Sequence, residues 1–280
     1  MLKSDHSSRQ GTQKFKLQCS YPTKEWLYIH SYLTDSQFNV LFATIQNYKD
    51  AVIKFGSVNE MQSEYEFGHQ ASTHNVPNFI KYLCFFTCND SVNEIKRRNF
   101  DVDHYICKND GDQLGIIAMP YYPIGSIEDY KWTRANIDVL KNVLKQVVYA
   151  ILYAHESFGF IHGDLHLGNV LVRHSKKKQN RYGILMLPVK GIYPIIMDFG
   201  KSKIDHEDYT NVYKNIRRFL TLISDMNRSD IVIQCDTTSL FNLERDNEPI
   251  TRHTYTYLET LIDTIVVRYA KSELPKRLFS

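Results

Sequence analysis

Asp164 and Asn169 stand five residues apart in "FIHGDLHLGNVLV", residues 160–172, a polar, glycine-containing stretch with apolar residues on both sides. A loop there can present both side chains to one point. A carboxylate so placed can orient a hydroxyl and accept its proton. A carboxamide oxygen beside it can hold a divalent cation. Asp198 lies in "IIMDFG", at the end of an apolar run, with Gly200 giving the chain freedom to turn. A carboxylate at a strand end beside a flexible turn is a good metal ligand. One base and two oxygen ligands suit phosphoryl transfer, in which positioning and charge neutralisation do most of the work.

These residues need a frame. "YIHSYL", "NVLFATI" and "DAVIKFG" are short, β-branched and aromatic, and separated by polar breaks, so residues 26–55 read as strands. "SVNEMQSEYEFGHQAS" has helical character. "NFIKYLCFFTC" and "QLGIIAMPYY" read as two further strands. In residues 136–158, Ile137, Leu140, Val143, Leu144, Val147, Val148, Ile151 and Leu152 form a helical apolar stripe long enough for a core helix. The polar stretch around Asp164 follows directly. A short strand "VLV", a basic loop "RHSKKKQNRYG" and the strand "YPIIMDFGKS" come next. Two later helices are expected in "VYKNIRRFLTLISDM" and "YTYLETLIDTIVVRYA". Strands with one helix come first and mainly helices after, with a join near Pro120 to Gly125, which gives a two-lobed α+β plan. Residues 1–24 read as a flexible tail, 25–119 as the β-rich lobe, and 120–280 as hinge and helical lobe.

"HGDLHLGN" followed by "DFG" resembles the catalytic loop and metal-binding turn of the protein kinase-like superfamily. The resemblance implies a bilobal kinase-like fold with a reduced C-terminal lobe, and ATP with Mg2+ (or Mn2+) as cofactors. It gives Asp164 the role of base, and Asn169 and Asp198 that of metal ligands. "AVIK" is similar to the family's third-strand lysine motif and implies that Lys54 contacts the nucleotide phosphates. A helix glutamate should brace that lysine; Glu64 and Glu66 are both candidates, Glu64 preferred. The phosphate-covering loop, GxGxxG in the family, corresponds to Thr34, Asp35, Ser36, Gln37, Phe38 and Asn39, followed by Leu41, with Thr34, Ser36 and Asn39 where glycines would be. The Cβ atoms at those three positions restrict close backbone approach to phosphate. "IAMPYYPIGSIEDY" resembles the inter-lobe hinge, with Met119 behind the adenine pocket and Pro120, Tyr121 and Tyr122 in the hinge.

Three departures accompany the likeness. Gly163 stands where the family has the arginine that docks a phosphorylated loop, which argues against control by loop phosphorylation. His166 replaces the lysine two residues after the base and could still touch the transferred phosphate. No APE sequence follows Asp198. "HGDLHxxN" is also similar to the loop of small-molecule kinases of the aminoglycoside and choline type. The wider pattern, with "PNFIKY" and "IIMDFGKS", resembles serine/threonine protein kinases of large DNA viruses. Three readings follow: a serine/threonine protein kinase with a protein substrate, a small-molecule kinase, and a nucleotide-binding pseudokinase.

Composition narrows the field. The chain of 280 residues is 43% hydrophobic and 23% charged, the balance of a soluble globular protein. Its net charge of +3, from 34 basic and 31 acidic residues, carries no nucleic-acid footprint. No long apolar run suggests a membrane span, and the polar N-terminus lacks a secretory signal. Five scattered cysteines without CxxC pairs argue against zinc and against a disulfide framework, and hence for an intracellular, reducing compartment. Cys84 and Cys88 read as strand residues, the "SKKKQNR" run as a solvated loop, and His162 as a structural histidine under the catalytic loop. A monomer is expected.

Overall fold

The computed structural model describes residues 27–33, 40–46, 48–108, 111–226, 232–234, 236–238 and 240–268. The N-terminal tail, Cys19, Cys235 and the stretch Thr34 to Asn39 lie outside the described residues.

Strands β1 (Leu27–Tyr32), β2 (Val40–Ile45) and β3 (Tyr48–Ser57) form an antiparallel meander. Helix α1 (Val58–Thr73) follows at once, its first turn capped by the Ser57 hydroxyl, which accepts from the Glu60 N–H. Strand β4 (Cys84–Asn89), helix α2 (Val92–Arg97) and strand β5 (Gln113–Pro120) complete a five-stranded sheet of order β1-β2-β3-β5-β4. Its two faces have different fates. Ile29, Leu41, Ile53, Phe55, Phe86 and Ile116 bury one face in a core drawn only from residues 27–118. Val52, Ile117 and Met119 on the other face join the main core with the helices that follow. Period-2 alternation along each strand makes this division possible.

Helix α3 (Ile137–Phe158) is the axis of the second half. Gly159 ends it at φ +69°, its N–H returning to the His155 carbonyl. The chain then runs through β6 (Phe160–Ile161), a 3-10 turn at Leu167–Asn169, and β7 (Val170–His174). Strands β8 (Gln179–Tyr182) and β9 (Leu185–Pro188) make a hairpin, and β10 (Ile192–Ile196) pairs with β7. Strand β11 (Lys203–Ile204) pairs back on β6. Helix α4 (Tyr209–Asp225), strand β12 (Val232–Gln234), helices α5 (Leu240–Asp246) and α6 (Arg252–Asp263), and strand β13 (Val266–Arg268) follow. The arrangement is α+β and compatible with a kinase-like fold.

A buried amide cluster joins the halves. Asn78, in the segment after α1, donates to Gln146 Oε1 at 3.3 Å and to the Pro194 carbonyl at 3.0 Å. Asn180 of β8 donates to Asn78 Oδ1 and Gln146 Oε1, both at 3.1 Å. The adjoining Ile80 N–H bonds to the Ile196 carbonyl. The segment after α1 is thereby fixed to α3 and β10.

Four expectations are corrected. The strand foreseen from Asn78 begins at Cys84, because Asn78 and Ile80 spend their polar groups on β10 and the amide cluster. The "basic loop" contains β8, whose Asn180 and Tyr182 are buried while its charged residues face out. The last helix stops at Asp263, where the chain turns to pair β13 with β12. A disulfide exists: Cys88 at the end of β4 is bonded to Cys107. Asp90 holds the same segment together, accepting from the Arg98 guanidinium at 3.0 and 3.1 Å and from the Cys107 N–H at 2.9 Å. Spacing alone hid this pair, because the intervening residues fold back through Asp90. Among the described residues no helix is long and apolar enough to cross a membrane.

Candidate active site

Lys54 projects from β3 on the face that Val52 shares, toward α1. Its Nζ lies 2.7 Å from Glu64 Oε2 and 2.8 Å from Asp198 Oδ1. Glu64 is 1% exposed, in the second turn of α1, and its other oxygen accepts from the Tyr82 hydroxyl at 3.0 Å. Glu66, the other candidate, is exposed and bonded to Gln62. Burial works against the charge on Lys54, but Glu64 and Asp198 outweigh it and hold the ammonium above its usual range. Burial pushes the Glu64 carboxyl up, against the pull of Lys54. Gly68 lets Tyr82 reach Glu64, since a Cβ there would sit 2.5 Å from the Tyr82 ring.

Asp198 adopts φ +63°, a left-handed conformation that Asp tolerates better than most residues. Residues held there gather at functional sites. Phe199 anchors the turn, its ring 5.4 Å from Phe79, 5.7 Å from Phe160 and 5.8 Å from His162.

The catalytic-type loop is built on His162. The ring is fully buried, and burial pushes its pKa down to about 4, so it is neutral. Its Nε2 donates to the Met197 carbonyl at 3.0 Å and its Nδ1 accepts from the Asp164 N–H. This ties the Asp164 loop to the strand end that carries Asp198. Asn169 Nδ2 donates to the Asp164 carbonyl at 3.0 Å, and its backbone carbonyl accepts from Met197 N–H. With the amide nitrogen spent on the loop, the amide oxygen remains the group suited to a cation. Among the described residues no three His, Cys, Asp or Glu side chains converge as a self-sufficient metal site. A cation bound by Asn169 and Asp198 would complete its shell from phosphate and water, as Mg2+ commonly does.

Gly163 has a structural reason. It sits at φ +76°, and a Cβ would fall 2.1 Å from the Lys201 carbonyl. Two cations that sequence reasoning missed hold Asp164. Lys201 Nζ lies 2.7 Å from Oδ2, and Arg218 Nη1 of α4 lies 3.3 Å from Oδ1. Partial burial raises the Asp164 pKa, but Lys201, His166 and Arg218 outweigh it and hold the carboxyl below its usual range. Lys201 directly follows the "DFG" turn and could have been suspected. Arg218 lies 54 residues from Asp164, with no local signal. His166 is half-buried at the start of the 3-10 turn.

Around the join, Met119 is buried opposite Val52 in the β3–β5 ladder. Tyr121 gives its N–H to the Asp50 carbonyl and sets its ring 5.1 Å from Phe42. Burial raises the Tyr122 hydroxyl to about 12. Leu41 requires a correction. It pairs with Ile53 and is buried in the outer core, away from Lys54. Val40 and Phe42, opposite Lys54 and Val52, occupy the site-facing register instead. A one-residue offset in a strand exchanges its faces. The rest of the covering loop lies in the undescribed stretch.

No family model matches the chain. Over 83 residues it is 34% identical to an uncharacterised protein of Invertebrate iridescent virus 6, a match that covers 27% of this chain and 14% of that protein. Over 100 residues it is 29% identical to the serine/threonine-protein kinase haspin of Mus musculus, covering 34% of this chain and 13% of that kinase. The haspin homolog of Drosophila melanogaster is 33% identical over 69 residues, 23% of this chain and 12% of the homolog. The chain thus spans about an eighth of the length of these three relatives. Its likeness to serine/threonine kinases is distant and partial.

Proposed function

We propose that this chain is an ATP-dependent phosphotransferase, a kinase of the serine/threonine protein kinase kind with a bilobal kinase-like fold. The observation that carries the reading is the half-buried lysine between two carboxylates from distant parts of the chain, Lys54 with Glu64 and Asp198, beside the Asp164–Asn169 loop. The distant haspin likeness supports it.

ATP with Mg2+ would supply the phosphoryl group and the charge that neutralises it in transfer. Asn169 and Asp198 are the residues that would hold the cation. Lys54, braced by Glu64, would position the phosphates, with Met119, Tyr121 and Tyr122 beside the base. Asp164 orients the acceptor hydroxyl. The acceptor oxygen bonds to the γ-phosphorus as the bond to the ADP oxygen breaks, and the hydroxyl proton passes to Asp164. His162 keeps the loop in place without exchanging a proton near neutrality, since it titrates near 4.

Only residues 199–208 separate Asp198 from the first residue of α4, with two of them paired to β6. That short segment offers little platform for a long peptide and favours a second reading, a small-molecule acceptor. The test is incubation with labelled ATP and Mg2+, with a set of generic proteins and separately with small hydroxyl metabolites. Label on protein that disappears in Asp164→Asn supports the protein kinase. Label only on small molecules selects the second reading. A thermal shift with ATP but no transfer to any acceptor would leave a nucleotide-binding pseudokinase.

A further inference from the structure

Asp164 has both carboxylate oxygens engaged by cations that nothing else fixes. Lys201 and Arg218 are 71% and 58% exposed, and neither has another carboxylate partner among the described residues. His166 adds a third basic group close enough to depress the Asp164 carboxyl. Helix α4 extends the patch. Its exposed face carries Lys214 and Arg218, four residues apart and so stacked on one side, and no ion pair among the described residues involves Lys214. The acidic groups nearby are already spent or lie elsewhere. Asp208 caps α4 and pairs with Lys203. Glu128 stands by Gly168, beside the His166 ring, and makes no ion pair with Lys201 or Arg218 among the described residues.

This arrangement has a consequence for the acceptor. Each Asp164 oxygen holds one cation and has room for another donor, so an incoming hydroxyl meets the carboxylate with Lys201 and Arg218 beside it. Two cations then flank the acceptor on flexible stems, and the single Asp164 charge offsets only one of them. A neutral acceptor leaves that excess unmatched, and a basic one adds repulsion. An acceptor with carboxylates next to its hydroxyl supplies the missing negative charge.

We infer that the site selects a serine or threonine flanked by acidic residues, which Lys201 and Arg218 receive beside Asp164. The inference rests on the kinase reading above and deepens it by naming the substrate class.

The test uses the full chain, labelled ATP with Mg2+, and three short peptides that share one acceptor serine flanked by Glu, Ala or Arg. Binding of ATP is followed in parallel by thermal shift. The wild-type chain should prefer the Glu peptide over the Arg peptide by about fivefold or more in kcat/KM, the size that exposed ion pairs reach. The difference should lie mainly in KM and shrink with added salt. Arg218→Glu should lower or reverse the preference, whereas Arg218→Lys should keep most of it. Because Arg218 is exposed, both variants should melt near the wild type, and a merely structural role would not respond to the sign of the peptide. Equal use of Glu and Arg peptides, or a ratio unchanged in Arg218→Glu, overturns the inference while leaving the kinase in place. No transfer to any of the peptides by a chain that does bind ATP removes the protein kinase reading, and the inference with it.

Discussion

Burial and charge pull on Glu64 in opposite directions, and burial prevails, so its carboxyl titrates above the ordinary range in the folded chain. The sign matters. A folded pKa raised above the unfolded one contributes stability that is present at low pH and fades as pH rises through the folded value. The proposed transfer would run the other way, because protonated Glu64 would release Lys54. The acid limb of kcat/KM is therefore expected above the usual glutamate range. In Glu64→Gln the rate should fall at all pH values, and the residual limb should move down toward Asp164, which titrates below its ordinary range. A pH–rate profile of both proteins checks this, and identical limbs would remove Glu64 from the account. Gly163 supports a second prediction at this scale. Both its backbone conformation and the Lys201 carbonyl exclude a Cβ. Gly163→Ala should lose about 1–3 kcal/mol, the usual cost of a strained backbone residue, measured by urea unfolding. Gly163→Arg should be at least as damaging.

At the scale of elements, what could be read from the sequence divides by distance along the chain. Helix α1, helix α3 and the strands around Lys54 and Asp198 announce themselves through local periodicity and sit close to their expected places. Asp164, Asn169 and Asp198 stand in local motifs and Glu64 in a legible helix, and the structure sets Glu64 and Asp198 against Lys54 and Asn169 against the Asp164 carbonyl. Leu41 was misplaced because period-2 patterning does not say which of two buried faces looks toward the site. Arg218, the amide cluster and the disulfide were missed because each depends on segments brought together only by folding. The amide cluster carries a third prediction. Gln146→Leu removes one hydrogen bond each from Asn78 and Asn180, which keep the Pro194 carbonyl and Asn78 Oδ1. A lost hydrogen bond costs about 0.5–1.5 kcal/mol, so the urea midpoint should drop accordingly. A midpoint equal to the wild type would show that the cluster adds no stability. The Cys88–Cys107 bond spans 19 residues. A loop of that size constrains the unfolded chain by about 3 kcal/mol in the loop-entropy account. Reduction, or Cys107→Ser, should lower the melting temperature by several degrees, while the Asp90 contacts keep the folded segment in place.

For the whole molecule, the decisive contact is the one between Lys54 and Asp198, 144 residues apart. The first sheet has a core drawn entirely from residues 27–118, whereas the site draws on both halves. Asp198→Ala should therefore abolish transfer and leave Lys54 with Glu64 alone, yet change stability little, since Asp198 is 31% exposed. A melting curve and an activity assay on the same sample separate these effects. The same span bears on biogenesis. Chains emerge from the ribosome N-terminus first, and contacts between distant residues are the slowest to form. The sheet and its Lys54–Glu64 pair can assemble while the second carboxylate is still untranslated. A nascent or truncated chain would then carry the lysine clamp half made, and the capacity for chemistry would be among the last properties the polypeptide acquires.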